Sequence, residues 1–140
     1  MKILMIHEIT DEILKLDLLD FDIITFDDGL YSQYKHYRHF LKFNKPLFFF
    51  ISTNIVCEEN EIQNEEVLSC SLSHKLFFEN NDKSNYMKWS QIKELYNTKN
   101  CYIGGHSHNH KKLIGLPLKD QVNFRSEERR VGKECRSRWS

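Results

Sequence analysis

The sequence predicts an α/β fold with a largely parallel sheet, and three observations carry that expectation. Short apolar runs alternate with amphipathic segments along the chain. One run, Leu47 to Ile51, is almost wholly apolar, as a strand covered on both faces requires. Two polar clusters follow directly on apolar runs, where the loops at the carboxyl ends of parallel strands converge and catalytic groups gather.

In chain order, Lys2 to Ile6 is a short apolar run suited to a buried strand. Phe21 to Phe26 is a second, β-branched run that ends in two aspartates and a glycine. From Ser32 to Phe43, Tyr34, Tyr37 and Leu41 recur at three- and four-residue spacing with Lys, His and Arg between them, the pattern of an amphipathic helix. Pro46 closes the turn before the run at Leu47. Residues Cys57 to Ser69 carry five glutamates and few large apolar groups, so a solvated loop is expected, with no chemistry assigned to it. Ser71 to Phe78 and Lys88 to Tyr96 each suit a short helix, the second packing Trp89, Ile92 and Leu95 or Tyr96 on one side. Cys101 to Ile103 returns as a strand, ended by Gly104 and Gly105. No internal repeat or low-complexity segment is present.

A chain of 140 residues, 40% apolar and 13% aromatic, is enough for one domain with a core. No apolar run approaches the roughly 20 residues of a bilayer-spanning helix, so no membrane span is expected. Glu8, Asp11 and Glu12 interrupt the apolar stretch that a secretory signal would need, which gives a cytoplasmic expectation. Cys57, Cys70, Cys101 and Cys135 form no CxxC pair and read as reduced thiols. GxSxG is absent, and no cysteine lies beside a persuasive partner, which argues against nucleophile-based hydrolysis.

The formal charge of zero hides two populations. Residues 1–124 hold 13 Lys and 1 Arg against 17 acidic residues, a net −3, whereas residues 125–140 hold 5 Arg and 1 Lys against 3 Glu, a net +3. The change from a Lys-rich to an Arg-rich vocabulary is abrupt. SEERRVGKECRSRWS resembles a translated adapter or vector sequence and is read as non-native. A basic tail can also bind nucleic acid through phosphates, but that reading ranks second, and no nucleic-acid partner is expected.

In IITFDDG, Asp27 and Asp28 sit side by side where a strand leaves the sheet, and Gly29 permits a tight turn. One carboxylate can hold a metal while its neighbour addresses a water. The same residues also suit a helix cap. In GGHSHNH, His106 and His110 can reach one ion if the backbone between them turns, and an Asp with two His leaves a tetrahedral position open for water, the catalytic arrangement. A His-rich surface loop with incidental metal affinity is the alternative.

Together TFDDG and HSHNH resemble the two leading motifs of polysaccharide deacetylases of the NodB-homology type, and WSQIKEL followed by a strand and GGHSHNHKKL extends the resemblance. The resemblance covers about residues 1–124. It implies an irregular (β/α) barrel, here an incomplete first half, since such barrels take about 200 residues or more. It further implies Asp27 as general base and Asp28, His106 and His110 as ligands of a divalent metal, zinc first, with cobalt, manganese or nickel also suited. Ser107 would steady the histidine loop. The implied activity is removal of N-acetyl or O-acetyl groups from an amino-sugar glycan or glycan precursor. The ion would polarise the carbonyl and bring the pKa of its water toward about 7, and Asp27 would take the proton. His108 is expected to face solvent or pack locally, His7 to form a wall of the site or part of the core, and His36, His39 and His74 to be ordinary helix-surface residues. The family's later elements, an arginine, an Asp-Trp element and a C-terminal histidine that acts as acid, are not recognisable. A catalytically inactive metal- or carbohydrate-binding fragment is therefore the competing reading.

Overall fold

The computed structural model describes residues 1–110 and 118–119, so the Arg-rich segment 125–140, Cys135 and the boundary at residue 124 lie outside the described residues. Eight elements follow in order: β1 (Ile3–Ile6), α1 (Asp11–Leu14), β2 (Ile23–Asp27), α2 (Tyr31–Leu41), β3 (Leu47–Ile51), α3 (Cys70–Asn80), α4 (Trp89–Tyr96) and β4 (Cys101–Gly105). The strands form one parallel sheet in the order β1-β2-β3-β4. This is the α/β architecture expected, compatible with part of a barrel; no closed barrel forms among the described residues. No described helix is long and apolar enough to cross a membrane.

The pleat decides which residues build the core. Ile24, Leu47 and Cys101 lie in register across β2, β3 and β4, as do Phe26, Phe49 and Ile103 one pleat further on. All but Ile103 are buried, and Phe26 stacks on Phe49 at 4.7 Å between ring centroids. Tyr37 and Phe40 of α2 and Ile92 and Leu95 of α4 close this side of the sheet. Burying side chains of this size stabilises by about 1.5–3 kcal/mol each. Glu94 fastens the two helices to each other, accepting from the Tyr34 hydroxyl, from Tyr37 Oη at 2.9 Å and from Arg38 Nη2 at 2.7 Å.

Among the described residues, the opposite face of the sheet is less fully buried than the sequence suggests. Met5, Thr25, Phe48 and Tyr102 lie in register, and Met5 and Tyr102 are exposed while Phe48 and Phe50 are only half-buried. The rings on this face shield one another: Phe48 stacks on Tyr102 at 4.9 Å and lies 6.4 Å from Phe50. Gly104 has room for no side chain, since a Cβ there would stand 2.7 Å from the Phe50 ring.

α1 is the element that the apolar periodicity does not announce. It is a single turn, capped by Thr10, whose Oγ1 accepts from the Ile13 amide, with Asp11 and Glu12 at its positive end. The segment 58–61 is exposed as expected of a Glu-rich loop, but Val56 and Cys57 just before it are buried. Burial pushes the thiols of Cys57 and Cys101 up to about 11, so both stay protonated and inert.

Candidate metal centre

Register brings the two motifs together. Asp27 on β2 pairs with Phe50 on β3, and Phe50 with Gly104 on β4, so Asp28 and His106 leave the sheet at nearly the same level. Only β3 separates them, which at two strand spacings is about 10 Å of backbone, a gap that an aspartate and an imidazole bridge from its two sides. The backbone is shaped for this: Asp28 has φ 76° and Gly29 φ 71°, two successive residues in the left-handed region. For a non-glycine residue that conformation costs of order 1–3 kcal/mol and clusters at functional sites.

The exits of β1 and β2 are clamped from α2. Gln33, fully buried, donates through Nε2 to the carbonyls of His7 at 2.9 Å and Asp27 at 2.6 Å. Ser32 Oγ accepts from the Ile9 amide at 3.1 Å.

The histidine loop is held by the residues just after β3. His106 N–H donates to the Ile51 carbonyl at 2.9 Å, and Ser52 Oγ donates to the His106 carbonyl at 2.9 Å. Thr53 Oγ1 shares a 2.7 Å hydrogen bond with His108 Nδ1, the Asn54 amide donates to the His108 carbonyl at 2.9 Å, and Asn54 Nδ2 donates to Asn109 Oδ1 at 2.7 Å. His108 thus packs locally. Ser107 and His110 adopt left-handed φ of 63° and 54°, the turn that carries His110 back toward His106. Among the described residues, the bonds fixing this loop come from Ser52, Thr53 and Asn54.

Asp28 is the hub. It is 2% exposed, and its Oδ1 lies 3.2 Å from His106 Nε2 and 2.6 Å from His110 Nε2. The ligand atoms of these three residues lie within 4.8 Å of one another. Both imidazoles lie within hydrogen-bond reach of Oδ1. Two ligands of one zinc ion, each about 2.1 Å from it, stand about 3.4 Å apart in a tetrahedron; the 3.2 Å His106 distance is close to that edge, and the 2.6 Å His110 distance is shorter. The donor set therefore fits a divalent metal, with His110 needing a small outward shift. Burial by itself would raise the Asp28 carboxyl, but the imidazoles of His106, His110 and His74 and the Cys70 thiol outweigh it and hold the group far below the usual carboxylate range. Asp28 is an anion at any physiological pH.

Asp27, 8% exposed, has its backbone carbonyl tied to Gln33 and lies in register with Phe50 and Gly104. It adjoins the hub through the chain itself.

Three neighbours on the other side of Asp28 extend the set found from sequence. Cys70 Sγ donates to Oδ2 at 2.9 Å, His74 Nε2 stands 3.3 Å from Oδ2, and His7 Nε2 stands 3.8 Å from it. The His7 side chain is 42% exposed. His74 is not the surface residue expected: its side chain is 12% exposed, it stacks on His110 at 4.0 Å, and its Nδ1 shares a 2.7 Å hydrogen bond with Tyr86 Oη. The helix buries Ser73 and Phe77, and His74 lies beside that face. His36 and His39 are half-buried along α2, His39 edge-on to Phe40 and Phe43.

No family profile matches the chain, and no curated protein does. Among solved structures, it is similar to the deacetylase domain of BpsB from Bordetella bronchiseptica, at 22% identity and a TM-score of 0.45, over 69% of this chain and 34% of that one. The chain thus spans about a third of that structure's length.

Proposed function

We propose that this chain carries the metal centre of a hydrolase that removes acetyl groups from an amino-sugar glycan or a glycan precursor. Asp28, His106 and His110 are the ligands and Asp27 is the general base. The observation that supports this reading is the convergence of a buried Asp28 carboxylate with two imidazoles, whose ligand atoms all lie within 4.8 Å of one another. Within this proposal the site belongs to the first part of a NodB-type (β/α) barrel domain spanning residues 1–124, and residues 125–140 take no part in it.

One carboxylate and two neutral imidazoles suit zinc first, and also cobalt, manganese or nickel. Such an ion supplies a Lewis acid for the acetamido carbonyl and acidifies the attacking water. The chain's own residues do the rest. Asp28, fixed as an anion, offsets the charge of the cation. Ser52, Thr53 and Asn54 hold the histidine loop so that both imidazoles keep their orientation. Asp27 accepts the proton of the attacking water on its carboxylate as the carbonyl carbon becomes tetrahedral.

Acetate release from an N-acetylated sugar oligomer, with zinc or cobalt added, is the test. The wild-type chain should release acetate, and Asp27→Asn should abolish release while metal binding persists. Unchanged release from Asp27→Asn overturns the base assignment. Metal binding without release by the wild type overturns the hydrolase reading in favour of an inactive metal- or carbohydrate-binding fragment.

A further inference from the structure

The Asp28 carboxylate has two oxygens, and the ligands proposed above use only one. On the other side, Oδ2 of Asp28, Sγ of Cys70 and Nε2 of His7 form a second group of metal-type donors, all within 4.8 Å of one another. We propose that Asp28 bridges two cations, and that Oδ2 with Cys70 and His7 forms a second site for a thiolate-accepting divalent ion.

Each donor comes from a different part of the fold and is fixed independently. Cys70 opens α3, where Ser69 caps the helix through the Leu72 amide at 3.2 Å, and the Cys70 amide donates to Glu8 Oε2 at 3.1 Å. His7 follows β1 directly, its carbonyl held by Gln33. One turn along α3, His74 Nε2 is buried and stands 3.3 Å from the same oxygen. Its Nδ1 shares a hydrogen bond with the Tyr86 hydroxyl, and in the tautomer that carries the proton on Nδ1 the Nε2 lone pair faces this space. His74 is thus a further donor within reach.

A thiolate with imidazoles favours zinc or cobalt(II) over magnesium, calcium or manganese. Binding breaks the Cys70 S–H bond heterolytically: the proton leaves to solvent, and the sulfur lone pair goes to the ion. No redox partner is required. This site does not depend on the hydrolase reading, because its readouts are binding and spectroscopy rather than acetate release.

The chain should be titrated with zinc by calorimetry and with cobalt(II) by absorption spectroscopy, under reducing conditions. The wild type should bind two equivalents and show a thiolate-to-cobalt charge-transfer band. Cys70→Ser should bind one equivalent and lose the band. His7→Ala, a change at a partly exposed side chain, should weaken the second equivalent by about tenfold or more and leave the first. His106→Ala should weaken the other equivalent and retain the band. A single equivalent in the wild type overturns the proposal, whether or not a thiolate band accompanies it. So does a band that survives Cys70→Ser. If Cys70→Ser fails to fold, His7→Ala decides: an unchanged second equivalent overturns the proposal.

Discussion

Asp28→Asn separates a metal ligand from a merely structural hub. The substitution conserves shape, and asparagine tolerates the left-handed φ of 76°, so the backbone at the end of β2 is preserved. What disappears is the one negative charge among Asp28, His106 and His110. A ligand present at 100 times its dissociation constant stabilises the folded state by about 2.7 kcal/mol. With an unfolding entropy of about 2.1 cal/mol/K per residue, a chain of this length converts that to a rise in Tm of about 10 °C. If the variant binds about a hundredfold more weakly at the same zinc concentration, the gain falls to about 0.4 kcal/mol, between 1 and 2 °C, by the same relation. The assay is differential scanning fluorimetry of each protein with zinc and with chelator. Each increment is taken against its own metal-free state, so any direct effect of the substitution cancels. A variant that keeps the full increment, or a wild type with no increment up to millimolar zinc, refutes the reasoning.

Other expectations follow from single contacts. Gly29→Ala places a Cβ 3.2 Å from Ile51 Cδ1 at φ 71°, so chemical denaturation should show a loss of about 1–2 kcal/mol; an unchanged midpoint would contradict the turn's role. Ser52→Ala removes the hydroxyl that donates to the His106 carbonyl, and zinc affinity should fall about tenfold by calorimetry, with a smaller effect on thermal stability. Equal affinity would mean that the loop holds itself. The hydrogen bond from Tyr34, outweighing the opposing effect of burial, lowers the Glu94 carboxyl below its ordinary 4.5. A depressed folded value means that its stabilisation is present above 4.5 and is lost as pH falls further. Melting curves of the wild type and Glu94→Gln should therefore converge below that pH, and parallel curves would exclude the α2–α4 tie as their cause.

Much of the fold was legible because the chain obeys simple periods. Leu47–Ile51 forms a strand at the expected residues, and of the Tyr34, Tyr37 and Leu41 face read from the helical spacing Tyr37 is buried in α2, joined by Phe40, while Tyr34 and Leu41 are half-buried. The convergence of Asp28 with His106 and His110 was legible from two strand-end motifs, since parallel strands in register deliver their exits to one rim. The half-burial of Phe48 and Phe50 among the described residues was not, because stacking of these rings on each other and on Tyr102 leaves no mark in the apolar pattern. His74 was missed for a related reason. Its helix turns a small residue, Ser73, inward, so hydrophobic spacing gives no sign that the neighbouring imidazole is enclosed. Cys70 read as an unremarkable thiol because the contact that matters spans 42 residues of sequence. Ser52, Thr53 and Asn54 carried no signal in the sequence, because they fasten the histidine loop through groups that become neighbours only once β3 and β4 pair.

Anomalous diffraction at the zinc edge from zinc-loaded crystals of the chain tests the central claim most directly. The account predicts a peak within about 2.3 Å of Asp28 Oδ1, His106 Nε2 and His110 Nε2 together. A zinc-loaded crystal whose peaks all lie away from those three atoms, or that shows none, would contradict it.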